Sequence, residues 1–305
     1  MEKFEVAIIG GGAADLSAAL YLGISLKKVV VFDNSTNRNR VTQKSHGFLT
    51  RDGITPSELR DKARQDVDAY GNVRVVSETV IELKQTMAHQ FLIETTAGGR
   101  CLAERVVLAT GIQERFSMKL PIKQYYGRSL FSCPYCDAYP LRDKALVVIA
   151  ENEGTIRHLG QLVSNWTNDL IIATNGQPVS NETNDLFERH GIEIETTPIA
   201  SLIGKEGMLE AITFTTGRSI ERQGGFVVPD YERSVTFAEE LGCDFDNNQQ
   251  IITDDHGRTT IPHLYVAGEY RTLKSSSLML AAADGNLVAT AVNMDSISAK
   301  YQKSL

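Results

Sequence analysis

The apolar run Phe4-Glu-Val-Ala-Ile-Ile leads straight into Gly10-Gly11-Gly12, and the glycines lead directly into Ala13–Leu22, rich in Ala and Leu. The first segment has the character of a short buried strand of parallel type and the last that of a helix. Lys28-Val-Val-Val-Phe-Asp33 follows as a second strand and ends in an acid 21 residues after Gly12. This order narrows the fold sharply. The first glycine permits a tight turn, and the second lets a diphosphate approach the backbone. The helix N-terminus offers amides and partial positive charge, and the terminal acid accepts ribose hydroxyls. Gly10, Gly12 and Asp33 are therefore candidate dinucleotide-binding residues. The third glycine position of the pattern holds Asp15. An acid there requires either a slightly displaced helix or a weakened hold on phosphate.

A chain of 305 residues has room for about two domains and a sizeable core. It carries 31 Lys and Arg against 38 Asp and Glu, a net charge of −7, which argues against nucleic acid as a partner. No apolar run approaches the roughly 20 residues of a membrane span. The N-terminus enters a strand at once, with no signal-peptide pattern, so the expected location is the cytoplasm. In that reducing compartment the four cysteines need a reason other than structural disulfides. Cys101 and Cys243 stand alone and read as small apolar residues. Cys133-Pro-Tyr-Cys136 has the spacing of a dithiol–disulfide couple. No second cysteine pair or histidine cluster completes a zinc site, so a redox role leads.

The stretch 34–53 reads as a polar loop, followed by a helix after Thr55-Pro56-Ser57. Residues 73–83 and 90–96 alternate as antiparallel strands do. Arg105–Gly111 is a buried strand ending in Ala-Thr-Gly, and Leu264-Tyr-Val-Ala-Gly268-Glu269 is a similar strand ending in glycine and an acid.

The glycine-rich start, the Ala-Thr-Gly strand, Cys-x-x-Cys-Asp and the late Ala-Gly-acid strand together resemble the low-molecular-weight thioredoxin reductase family along nearly the whole chain. Ser45-His-Gly-Phe-Leu-Thr-Arg-Asp-Gly53 and Cys133-Pro-Tyr-Cys136 look closer to a side branch with the gliotoxin-type dithiol oxidases and bacterial relatives. The resemblance implies an α/β fold of two Rossmann-like, three-layer nucleotide-binding-type domains, one inserted in the other. The FAD domain would be 1–115 plus 230–305, and the insert, carrying the cysteine pair, 116–229. It also implies a homodimer, and a thioredoxin-like protein or a small dithiol or disulfide as partner.

Carried over by position, Gly10, Gly12, Ala13 and Ala14 form the pyrophosphate loop and Asp33 the adenosine-ribose acid. Val80 lies near the adenine, and Ala109, Thr110 and Gly111 run beside the flavin. Gly268 and Glu269 match the Gly-Asp that holds the ribityl chain, with Asp lengthened to Glu. Ser276, Ser277 and Leu278 open the final helix toward the flavin, where the family usually has Arg-Gln-Ala. Arg38, Asn39 and His46 are further FAD candidates from the loop, the alternative for them being a solvated loop. Cys136 would be the flavin-side thiol, Cys133 the substrate-side thiol, and Asp137 the acid that handles the proton.

The insert departs from the family. After the strand Ala145–Ala150, where a Gly-x-Gly-x-x-Ala should hold NADPH, the sequence is Ala150-Glu-Asn-Glu-Gly-Thr155. Two glycines have gained side chains and two acids stand beside a would-be anion site. The next strand ends in Thr174-Asn-Gly-Gln177, with no basic cluster for a 2′-phosphate. A helix from about Gly154 to Asn165 keeps the fold, so the expectation is a Rossmann-like domain without its ligand, with NADPH unlikely. The leading reading is an FAD-dependent dithiol/disulfide oxidoreductase that exchanges electrons with a dithiol, oxygen or a redox protein acting as electron donor. The alternatives are an NADPH-dependent thioredoxin reductase and a non-catalytic flavin-binding redox sensor.

Overall fold

The computed structural model describes residues 1–302. The chain divides into two compact units, one of residues 1–40, 47–114 and 231–305, the other of 41–46 and 115–230.

The first unit opens with β1 (Glu2–Ile9), α1 (Ala13–Ile24) and β2 (Val29–Phe32). All four residues of β2 are buried. Covering layers explain this: Ala7, Ile9, Val30 and Phe32 face one cluster, while Val6, Ile8, Val29 and Val31 face another with α1. α2 (Pro56–Asp68) starts where expected, because Thr55 and Glu58 form a reciprocal capping box with Pro56 in the first turn. Then come β3 (Val73–Val76), β4 (Val80–Gln85), β5 (Phe91–Thr95) and β6 (Arg100–Leu108). The alternating stretch 73–83 is thus two strands. β3 runs parallel to β2, and only β4 joins the antiparallel β4–β5–β6 meander. Alternation reports one wet face and says nothing of strand direction. β7 (Ile112–Arg115) leads out of the unit.

The second unit contains β8 (Leu130–Phe131), α3 (Pro134–Asp137), β9 (Leu146–Ile149), α4 (Glu153–Val163), β10 (Leu170–Ala173), α5 (Asn181–Glu188) and β11 (Glu193–Glu195). An antiparallel meander follows, β12 (Ile199–Lys205), β13 (Met208–Phe214) and β14 (Ser219–Glu221), and then β15 (Gly224–Val227). The strands β11-β10-β9-β15-β8 form a parallel sheet. Its one face packs on α4 and α5 through Val148, Ile172, Ile156 and Phe187, and its other packs on the meander through Val147, Ile171, Leu202 and Ile212.

β16 (Asp230–Arg233) pairs with β7 and returns the chain to the first unit. There α6 (Phe237–Glu240), β17 (Leu264–Val266), α7 (Glu269–Thr272) and the long α8 (Leu278–Gln302) complete it. β17 adds beside the second half of β6, in parallel, while the first half of β6 pairs with β5. The carboxyl ends of β1, β2, β6 and β17 thereby gather at one edge with the glycine turn, where open parallel sheets place their ligands. Among the described residues no helix is long and apolar enough to cross a membrane.

Candidate functional site

The turn of the first unit is built around missing side chains. Gly10 has φ +132°, and a Cβ there would lie 2.1 Å from Asp15 Oδ1 and 2.8 Å from the Ala109 carbonyl oxygen. A Cβ on Gly11 would lie 2.0 Å from Asp33 Cγ, so the ribose-acid candidate is packed against the turn. Asp33 is buried, and its Oδ1 accepts the Ser35 amide at 2.7 Å. Gly12 caps α1 with no side chain, Ala13 is the first helical residue, and buried Ala14 lies under α8. Asp15 is itself buried and accepts the Gly12 amide at 2.8 Å, so it folds back over the turn and needs no displaced helix. Beside the turn is a cavity of about 430 Å³, lined among others by Gly11, Gly12, Ala13, Asn39, Arg51 and Leu278.

Ala109, Thr110 and Gly111 follow β6. The Thr110 hydroxyl oxygen is sealed from solvent with no protein partner, and the Thr110 and Gly111 carbonyls accept from the Ser234 hydroxyl. The Gly268 amide donates to Asp284 Oδ2 at 2.7 Å. Ser277 accepts the Leu280 amide at 3.2 Å and so caps the start of α8.

Arg38 and Glu269, 231 residues apart, make a bidentate pair, Nε to Oε2 at 3.0 Å and a terminal nitrogen to Oε1 at 2.7 Å. The other terminal nitrogen of Arg38 donates to Glu114 at 3.0 Å, and the Ser276 amide donates to Glu269 Oε1 at 2.5 Å. Burial works against the Arg38 charge. Glu269, then Glu114, outweigh it and raise the guanidinium above its ordinary value. Both oxygens of Glu269 are thus engaged within the protein.

Asn39 lines the cavity, whereas Val80 and His46 lie elsewhere. Asn39 accepts from Asn37 at 2.6 Å. The Val80 side chain is in the apolar core with Phe32. His46 belongs with the second unit and is not grouped with Arg38 and Asn39. Glu114 and Asp284 were not singled out from the sequence. No local motif contains them, since their partners are 76 and 16 residues away.

In the second unit Cys133 and Cys136 form a disulfide with a Cα separation of 5.3 Å. Cys133 precedes α3 and accepts the Cys136 and Asp137 amides at 3.1 Å each, so the short helical turn brings the sulfurs together. Both cysteines and Asp137 are half-buried, and exposed Tyr135 meets Trp166 edge-on. Cys101 and Cys243 are buried free thiols, each pushed up to about 11, chiefly by burial.

The turn between β9 and α4 is closed by its own side chains. Asn152 caps α4 by accepting the Thr155 amide at 3.2 Å. Glu151 accepts from Asn175 at 2.6 Å. Glu153 accepts the Ser180 amide at 3.2 Å and the hydroxyls of Ser180 and Thr183. These bonds, the Ser180 hydroxyl foremost, hold its carboxyl below the ordinary range and therefore charged.

The sequence pattern of the pyridine nucleotide-disulphide oxidoreductases matches residues 4–285. A putative thioredoxin reductase TrxB from Bacillus anthracis is 44% identical, with a TM-score of 0.95 over 97% of this chain and 99% of that one. The structure of HlmI is 25% identical, with a TM-score of 0.92 over 99% of this chain and 95% of that one. A probable thioredoxin reductase of Arthroderma benhamiae is 24% identical over 96% of this chain and 80% of its own length. Glycine turn, disulfide and matched length agree: the chain belongs to the pyridine nucleotide-disulphide oxidoreductase family, as a thioredoxin reductase-like oxidoreductase acting on sulfur groups.

Proposed function

We propose that the chain is an FAD-dependent dithiol/disulfide oxidoreductase that works through Cys133–Cys136 and takes no electrons from NADPH. The observation that carries the reading is Glu153, whose charged carboxyl is tied to Ser180 and Thr183 at the turn where a second dinucleotide would have to sit. With Glu151 beside it and a Cβ at Ala150 and Asn152, that turn offers a diphosphate acceptors in place of donors. These residues do not fit NADPH.

The first unit does fit a dinucleotide. Gly12 caps α1 without a side chain, a cavity adjoins the turn, and the Thr110 hydroxyl lacks a partner. Gly10, Gly12, Ala13 and Ala14 would hold the diphosphate of FAD and Asp33 a ribose hydroxyl. Ala109, Thr110, Gly111, Gly268 and Ser276–Leu278 would border the flavin. Arg38 and Glu269 would act on that border as a clamped pair, and FAD, when bound, supplies a two-electron acceptor or donor.

The protein's own thiol chemistry is exchange. A substrate thiolate attacks Cys133 Sγ, a mixed disulfide forms, and Cys136 leaves as thiolate. The second substrate thiol then displaces Cys133, giving substrate disulfide, and the two protons lost by the substrate convert the two enzyme thiolates to the dithiol. Asp137, half-buried beside Cys136, is the group placed to hold one of them. Run backward, the same steps reduce a disulfide. The substrate class is a thioredoxin-like protein or a small dithiol, and a redox protein is a second electron partner.

A homodimer is part of the reading. Leu280, Leu287, Met294 and Tyr301 recur every seven residues along α8, all at least 40% exposed. Cytoplasmic residence agrees with the free thiols of Cys101 and Cys243. The test is an anaerobic titration of the FAD-loaded protein, following the visible flavin band. The expected result is no bleaching by NADPH or NADH and full bleaching by a dithiol. Stoichiometric bleaching by NADPH would overturn the reading.

A further inference from the structure

Asp15 stands at the dinucleotide turn in a place where the family pattern has glycine. It is 1% exposed. Its Oδ2 accepts the Gly12 amide at 2.8 Å, while its Oδ1 is sealed from solvent with no hydrogen-bond partner. That oxygen fills the hollow behind Gly10, 2.1 Å from where a Cβ would be.

The turn at which it sits is bordered by four elements. From the end of β2, the Asp33 charge opposes ionisation of Asp15. From the end of β6 comes the carbonyl oxygen of Ala109. α8 packs on α1 where Gly285 meets the Ala14 carbonyl, and brings Asp284, whose oxygens already accept from Gly268 and Arg271. α1 itself brings the Gly12 amide. Burial, with the Asp33 charge behind it, outweighs that amide and Asp15's own amide and pushes the Asp15 carboxyl well above the ordinary carboxylate range. A buried carboxyl near another acid, with one oxygen unpartnered, favours its protonated form. Ionised, it puts a full negative charge at the helix N-terminus that a diphosphate must approach.

We propose that Asp15 makes dinucleotide binding at this turn proton-linked, the protonated carboxyl admitting the diphosphate and its ionisation expelling it. The inference rests on the FAD reading of this turn. When only the protonated form binds, the dissociation constant is level below the pKa of the carboxyl and climbs toward tenfold per pH unit above it.

The test is titration of the FAD-depleted full-length protein with FAD, followed by flavin fluorescence, from about pH 5.5 to about pH 9. Wild type is compared with Asp15→Asn, which keeps an acceptor for the Gly12 amide, and with Asp15→Gly. The expected result is a dissociation constant that rises at least about tenfold across the range in wild type and stays level in both variants. Wild-type and Asn profiles that rise in parallel would overturn the role of Asp15. A level wild-type profile would overturn it too, whether or not the variants fold. Failure of wild type and variants alike to bind FAD at any pH would overturn the FAD reading itself, and this proposal with it.

Discussion

Arg38→Met is the most informative single change in the first unit. The substitution keeps the apolar stem and removes the cation between two carboxylates. Arg38 donates three charge-assisted bonds, two to Glu269 and one to Glu114. Its side chain is 20% exposed, and those of Glu269 and Glu114 are 12% exposed. The variant therefore leaves two poorly solvated acids facing each other, and removal of one partner from such a cluster costs about 3–5 kcal/mol. At about 2–4 °C per kcal/mol for a body of this size, the melting temperature should fall by roughly 6–20 °C. Thermal and urea unfolding of wild type and variant measure this directly. Adding Glu114→Gln and Glu269→Gln to Arg38→Met should recover most of the loss, since the repulsion is then gone. A loss under about 1 kcal/mol, the value of an exposed ion pair, would refute the reasoning. So would a triple variant no more stable than Arg38→Met.

Three further outcomes are expected. Cys136→Ser should abolish dithiol turnover while leaving FAD binding, which we assign to the other unit, unchanged; dithiol oxidation by this variant would sink the exchange scheme. Glu153→Gln should destabilise the protein at neutral pH. The folded state lowers the Glu153 pKa, so its contribution is present above the ordinary carboxylate range and lost as pH falls through the lowered value. The melting-temperature gap between wild type and Glu153→Gln should therefore narrow as pH falls into and below the ordinary carboxylate range, and a gap constant with pH would contradict this. Gly285→Ala would place a Cβ 2.0 Å from the Ala14 carbonyl oxygen. Because that neighbour is backbone, α8 must shift off α1 at a cost of about 1–3 kcal/mol, and an unchanged melting temperature would show that the helices are not held at this spacing.

Much of the fold is legible because its signals are local. The buried runs at 4–9 and 29–32, the glycines between them and the helix start at Thr55-Pro56-Ser57 each need only a few adjacent residues, and each stands where read. The residues Ala150 and Asn152, standing where two glycines are expected, are equally local, because a side chain is read from a single letter. The direction of β3 was not legible. Residues 73–76 alternate like a half-wet strand, and only the docking of that strand along β2 makes it parallel.

Side-chain partners depended most on the tertiary structure. Sequence order offered Arg38 and Glu269 as separate candidates for one ligand, and folding spends them largely on each other across 231 residues. Asp15 read as an anomaly, since its letter gives charge but not environment. Its burial and its bond to Gly12 depend on the turn, on β6 and on α8 closing around it. Glu153 read as unfavourable charge, yet Ser180 and Thr183, nearly thirty residues on, make it the clasp of a closed turn. The sequence by itself determined where backbone can bend and which faces are apolar, since both are set within a turn or a strand. Only the tertiary structure decided which charges meet, because a carboxylate's partner and its protonation depend on what the rest of the chain brings within a few ångströms.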